Sequence, residues 1–206
     1  HANGGCVVNF MGDGIMAVFG APKPLDNACR AAFDTAVAML GFVKILNKQF
    51  IAEGTAPIDI GIGLQFGEAV MGHVGSSDRH DFTAIGDVTN VASRLETLTK
   101  TYGVPLLISE HTLYSLSDSE RFSVRYLGRS KVAENTPAES VYEVFDHDTP
   151  QVRELKVKSL KKFEEAVAYY HIRAAAKALP MLEEIVRENP GDNPAKVYLK
   201  RCGDYI

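Results

Sequence analysis

Three polar residues in this chain have types and spacing that suit chemistry. In HDFTAIGDVTNVASRLE, residues 80–96, Asn90 and Arg94 stand four apart, which puts two side chains on one face of a helix. An amide and a guanidinium held this way can hydrogen-bond a sugar oxygen and a phosphate, and an anion gains further from the unpaired amides at a helix start. The plainer reading pairs Arg94 with Glu96 or with solvent, and spacing alone favours it. The third residue is Asp13, between two glycines in NFMGDGIMAVFGAP, residues 9–22. Its carboxylate is either a ligand or only the polar member of a tight turn, since Asp-Gly is among the commonest hairpin tips. The hairpin by itself favours the turn.

The elements that would position these residues follow from periodicity. Apolar runs at Phe10-Met11 and Ile15 to Phe19 flank the Gly-Asp-Gly tip and predict a β-hairpin whose glycines take positive φ. Leu25, Cys29, Ala32, Ala36, Leu40, Val43 and Phe50 recur at near-helical steps. They predict a long amphipathic helix that starts near Asp26 and ends near Gly54. IDIGIGLQFG, residues 58–67, alternates cleanly and predicts a strand, with EAVMGHVG as its hairpin partner. A short strand at DFTAIG comes next, then a helix opening at Asp87 whose buried stripe is Val88, Val91, Ala92, Leu95 and Leu98. A strand at PLLIS, a short helix from Glu110 and strands at RFSVRYLGRSKV and ESVYEVF complete an α+β order, read as helices on one face of a mostly antiparallel sheet.

A boundary is expected at DHDTPQ, residues 146–151. Beyond it Phe163, Ala166, Tyr170, Ala174, Ala178, Leu182 and Ile185 predict a helix, and ENPGDNPAKVYLKRC breaks it before a last one. Tyr169, Ala178 and Pro190 are placed as in a single tetratricopeptide unit. One such repeat cannot bury its own face, so this part either packs on the rest of the chain or docks a partner.

Composition bounds the function. The 206 residues, 46% hydrophobic and 23% charged, have the profile of a soluble globular protein. A net charge of −4 with dispersed Lys and Arg offers no footprint for nucleic acid. No run is long enough to cross a membrane, so a cytoplasmic location without direct membrane contact is expected. Cys6, Cys29 and Cys202 lie far apart and suggest neither disulfides nor zinc. The chain opens on His1 without a Met, in the loop-like HANGG, and reads as a piece of a longer polypeptide.

Taken together, GGCVVNFMGDGIMAVFGAP and GIGLQFGEAVMGHVGSSDRHDFTAIGDVTNVASRLE resemble the catalytic domain of class III nucleotide cyclases, the adenylate and guanylate cyclase family, from Gly4 to about Phe145. The tail resembles an extension found after bacterial members. The resemblance implies an α+β, ferredoxin-like sandwich over residues 1–147 and a helical, single tetratricopeptide-like appendage over 148–206. It also implies conversion of ATP to 3′,5′-cyclic AMP and pyrophosphate by in-line attack of the ribose 3′-oxygen on the α-phosphate. Two divalent ions, Mg²⁺ or Mn²⁺, serve that reaction, and a head-to-tail homodimer shares its active sites.

Residue by residue, Asp13 matches the second metal-binding aspartate, and Gly12 belongs to the same substrate-binding tip. Asn90 orients the ribose, Arg94 stabilises charge on the α-phosphate, and Thr83 stands where the purine is read. The pattern also departs from the family at three places. The strand carrying the first aspartate is expected upstream of His1. Asn9 occupies the place of an adenine-binding Lys, and Ala133-Glu134-Asn135 replaces a Lys-Gly-Lys core for which Lys131 or Arg129 can substitute. Two other readings stay open: a catalytically degenerate cyclase domain serving dimerisation or regulation, and a diguanylate cyclase. The second expects a Gly-Gly-Asp/Glu-Glu-Phe-like turn, which MGDGI does not supply.

Overall fold

A computed structural model describes residues 1–76, 79–117, 119–131 and 138–205. The expected hairpin is formed by β1 (Gly5–Met11) and β2 (Gly14–Phe19), with Met11 paired to Gly14. Its two-residue loop is therefore Gly12-Asp13. Gly12 takes φ 64° and Asp13 does not share the positive region, the type II′ arrangement with glycine first. The permissive residue thus precedes Asp13 instead of following it. The register shifts between Val7 and Asn9, a bulge that re-aims the strand where Asn9 stands.

Helix α1 (Ala28–Ala52) buries Cys29, Phe33, Ala36 and Leu40. Its cap is Asn27 rather than Asp26, with the Asn27 side chain accepting the Arg30 amide at 3.0 Å. The expected ten-residue strand is shorter than its alternation suggests: β3 spans only Ile62–Leu64 and pairs in parallel with β6 (Leu106–Ser109). Thr112, in α3 (Glu110–Ser115), is the physical cause. Its hydroxyl donates to the Leu64 carbonyl and accepts the Phe66 amide, so the groups that would extend the ladder are already taken. The chain then turns away, and β4 (Val70–Ser76) pairs not with β3 but with β5 (Arg79–Ile85).

The main sheet has the order β3-β6-β8-β7, with β7 at Val124–Ser130 and β8 at Glu139–Val144. All four residues of β6 are buried, which means both faces are covered. Leu106, Ile108 and Val144 pack with α1. Leu107, Leu127 and Val141 pack with α2 (Asp87–Tyr102) and with the C-terminal helices α4 (Pro150–His171), α5 (Ala175–Glu188) and α6 (Asn193–Gly203). The fold is α+β, but its helices lie on both faces of the sheet and not on one.

The C-terminal periodicity runs through a break. α4 and α5 are separate helices, and Arg173 between them takes φ 61°. The apolar stripe continues across the break because Phe163, Ala166, Ala178 and Leu182 all enter one core. The three cysteines are free, and burial pushes the Cys29 thiol up to about 11. Among the described residues no helix is long and apolar enough to cross a membrane.

Candidate active site

Helix α2 lies close against β3 because the strand offers it glycine. A Cβ on Gly63 would overlap the Ala92 carbonyl and the Glu96 amide, and one on Gly61 would meet Thr99. With the backbones in contact, Val91, Leu95, Leu98, Thr99 and Tyr102 turn inward and are buried. Asn90 and Arg94 are left exposed on the other side, about 6 Å apart along the axis. The helix starts at Gly86, whose φ of 153° and ψ of 167° are open essentially only to glycine. Its carbonyl accepts both the amide and the hydroxyl of Thr89, closing the first turn one residue before Asn90.

Gly86 also joins α2 directly to β5, so Thr83 and the Asn90/Arg94 face belong to one continuous unit. Thr83 is half-buried and pairs with Gly72. β1 packs beside β5, which brings the strand of Asn9 next to that of Thr83, while Asp13 projects, exposed, from the hairpin tip. Arg94 faces solvent, while Glu96 pairs with Lys100 at 3.4 Å. Among the described residues, Asn9, Asp13, Asn90 and Arg94 make no side-chain hydrogen bond or ion pair.

These residues do not meet in either of the clefts described. The two clefts described, of about 100 and 400 Å³, are lined by residues of α4 and α5 and by residues around Phe33 and Phe122. Neither includes a candidate site residue. Among the described residues no group of three His, Cys, Asp or Glu side chains could hold a metal ion. Ala133, Glu134 and Asn135 lie outside the described residues. Arg129, one of the two suggested substitutes for the missing lysines, donates to the Ala138 carbonyl at 3.1 and 2.6 Å and is tied to its own hairpin; Lys131 is exposed. Sequence reasoning found the glycine-rich strand but not its purpose. The signal was present in the spacing of two, since Gly61 and Gly63 point to the same face.

Residues 2–145 match the family model for the adenylate and guanylate cyclase catalytic domain. The chain belongs to that family. An adenylate cyclase of Anabaena cylindrica is 42% identical over 142 residues, covering 68% of this chain and 28% of that protein. The terminal-differentiation specific adenylate cyclase of Dictyostelium discoideum is 31% identical over 204 residues, 97% of this chain and 9% of its own length. The chain thus spans less than a third of either relative, and the second alignment extends through the C-terminal helices. Among solved structures, the adenylyl cyclase CyaB from P. aeruginosa superposes with a TM-score of 0.62 at 30% identity, covering 70% of this chain and 74% of that one. The guanylyl cyclase Cya2 gives 0.58 at 29% identity, over 72% and 74%. The cyclase domain therefore carries Asn90, Arg94, Thr83 and Asp13 within the matched segment.

Proposed function

We propose that this cyclase domain is the catalytic part of an adenylate cyclase that converts ATP to 3′,5′-cyclic AMP and pyrophosphate, with residues 1–147 as the catalytic unit and 148–206 as its tetratricopeptide-like helical extension. One observation carries the reading: Asn90 and Arg94 share an exposed face at the first turns of α2, immediately after Thr83, and no described side chain occupies them. In this reading Thr83 reads the purine and Asn90 donates to the ribose, holding the 3′-oxygen in line with the α-phosphate. Arg94 offsets the charge that builds there as pyrophosphate leaves; removing one such donor typically costs about 10²–10³ in rate.

Asp13 fits one ligand position of a divalent site, because its carboxylate is exposed and unpartnered among the described residues. It is a single carboxylate, and a Mg²⁺ or Mn²⁺ pair needs more donors than the described residues gather. When bound, two such ions would activate the attacking oxygen and neutralise phosphate charge.

Asn9, Asp13, Asn90 and Arg94 are exposed, and none of them lines a described cleft that could enclose a nucleotide. This supports a head-to-tail homodimer in which Asp13 of one copy faces Asn90 and Arg94 of another. Full-length protein tests it directly. Asp13→Ala and Arg94→Ala variants should each lose cyclic AMP formation by at least about 10²-fold while remaining folded, and mixing them should restore part of the rate through the one intact site. Mixing without recovery, with subunit exchange shown by differential labelling, overturns the shared site. Asn9 in place of a lysine favours a second reading, a degenerate domain that only dimerises. A wild-type dimer with no turnover under Mg²⁺ or Mn²⁺ would establish it.

A further inference from the structure

Helix α6 grips the cyclase domain in two places, in addition to the contacts that α4 makes through Lys156 and Glu164. At its start, Asp192 caps the helix by accepting the Ala195 amide at 3.1 Å. The same carboxylate binds both terminal nitrogens of Arg125 on β7, at 2.8 and 2.9 Å. Arg125, Asp192 and Glu143 are fully buried, and Arg125 also donates to Glu143 at 2.5 Å. α6 is thereby fixed to the sheet.

The second grip falls on the far end of α2. Asn193 donates from Nδ2 to the carbonyl of Gly103, the residue that closes α2, at 3.1 Å. Tyr198 lies against Tyr102 with ring centroids 6.2 Å apart, while its hydroxyl donates to the Leu127 carbonyl at 2.5 Å. The Arg201 guanidinium covers both rings, 5.4 Å from Tyr102 and 5.2 Å from Tyr198, and reaches the Tyr102 hydroxyl at 3.5 Å. α6 is a strut between β7 and the C-terminal end of the helix that carries Asn90 and Arg94.

At β3 the helix rests on Gly61 and Gly63, which let the backbones approach closely, and its inward side chains enter the core shared with Leu107, Leu127 and the C-terminal helices. The contacts of α6 at Tyr102 and Gly103 add a hold on the end of α2.

We propose that Asn193 and Arg201 of α6 are positioning residues for the cyclase reaction: they hold α2 at the axial position that presents Asn90 and Arg94 to the nucleotide. The C-terminal helices then form part of the catalytic machinery and not a detachable docking module. The proposal rests on the cyclase reading for its kinetic consequence, but not for its structural one.

The test uses the full-length protein with Asn193→Ala, Arg201→Ala and Arg201→Lys, followed by amide hydrogen exchange and by kinetics with ATP. Exchange at the Val91–Leu95 amides should quicken by about tenfold in both alanine variants, since releasing one end of a helix lowers its opening free energy. kcat should fall about tenfold or more with KM changed less than about twofold, as expected when displacement of catalytic groups is felt mainly in the transition state. Arg201→Lys should recover part of both effects by restoring a cation over the rings. Faster exchange confined to α6, with Val91–Leu95 unchanged, overturns the proposal whether or not the wild type turns over ATP. A wild type without turnover refutes the cyclase reading alone, and exchange still judges the strut. If Arg201→Ala fails to fold, Asn193→Ala, an exposed position, and Arg201→Lys decide between the same two outcomes.

Discussion

The two ends of the molecule treat their polar groups in opposite ways. Around β7, β8 and the C-terminal helices, Arg125, Glu143 and Asp192 are completely buried and wholly paired, and Lys156 joins them through Glu143 at 2.7 Å and Asp148 at 2.6 Å. Burial alone would weaken the charge on Arg125, but the carboxylates of Glu143 and Asp192 outweigh it and hold the guanidinium above its ordinary value. Around the β1–β2 hairpin, the β4–β5 ribbon and the outer face of α2, Asn9, Asp13, Asn90 and Arg94 are exposed without side-chain partners among the described residues. Apolar side chains beside them are equally unsheltered: Phe10 is 71% exposed and Val70 72%. One end satisfies itself, while the other offers both kinds of group to something else, the arrangement expected of an interaction surface. The cyclase reading supplies a nucleotide and a second copy of the chain.

The same change made at each end separates them most widely. Asp192→Ala should cost about 3–5 kcal/mol in urea unfolding, because it leaves both terminal nitrogens of the buried Arg125 guanidinium without their carboxylate, with only Nε still held by Glu143. Asp13→Ala should stay within about 0.5 kcal/mol of wild type, as for an exposed tip. Comparable losses at both positions would break the contrast. Gly63→Ala probes the junction between the ends. The added methyl meets helix backbone that cannot swing aside, so stability should drop by about 1–3 kcal/mol, and cyclic AMP formation should fall with it. An unperturbed variant would mean that α2 does not need its glycine floor.

Asn9→Lys sharpens the open end. A charged donor to a purine ring nitrogen is worth roughly 1.5–3 kcal/mol against 0.5–1.5 for a neutral one. kcat/KM for ATP should therefore rise about tenfold, with less change for GTP. If neither substrate is turned over by the variant, the defect lies elsewhere and the degenerate reading gains.

The smallest effect expected is at His147, beside the buried network. Its backbone carbonyl accepts from Lys44 and its ring faces Asp148 at 3.3 Å. Burial lowers its pKa below the ordinary 6.5, with Lys44 and Lys156 acting in the same sense and Asp148 and Glu143 opposing. The folded state thus binds this proton less readily than the unfolded one. Stability from this group is complete above about 6.5 and declines as pH falls through and below that value. The melting temperature should decline over that range in the wild type, and less so in His147→Gln; equal declines would assign the effect to other groups.

Much of this protein was legible in its sequence, for a local reason. The β1–β2 hairpin, α1, α2 and β6 each announce themselves through a period of two or near 3.6 and through turn residues within a few positions. The exposed placement of Asn90 and Arg94 follows from four-residue spacing against the stripe that buries Val91, Leu95 and Leu98. The Gly-Asp hairpin tip, the glycine-rich strand and the helix start that carries Asn90 and Arg94, recurring in that order, sufficed to bring the cyclase family into view. Elsewhere alternation misled. The run from Ile58 to Gly67 looks like a ten-residue strand, yet the hydroxyl of Thr112, nearly fifty residues away, ends the ladder at Leu64. The break at Arg173 is hidden because the apolar stripe continues on both sides of it.

The coverage of both sheet faces, the pairing of β4 with β5, the Arg125–Glu143–Asp192 network and the grip of α6 on α2 were decided only by the tertiary structure. Arg125 and Asp192 are 67 residues apart, Tyr102 and Tyr198 96. Charge and aromaticity in a sequence show that a residue needs a partner. Only the closing of the chain, which removes water from those groups, determines which partner each one finds.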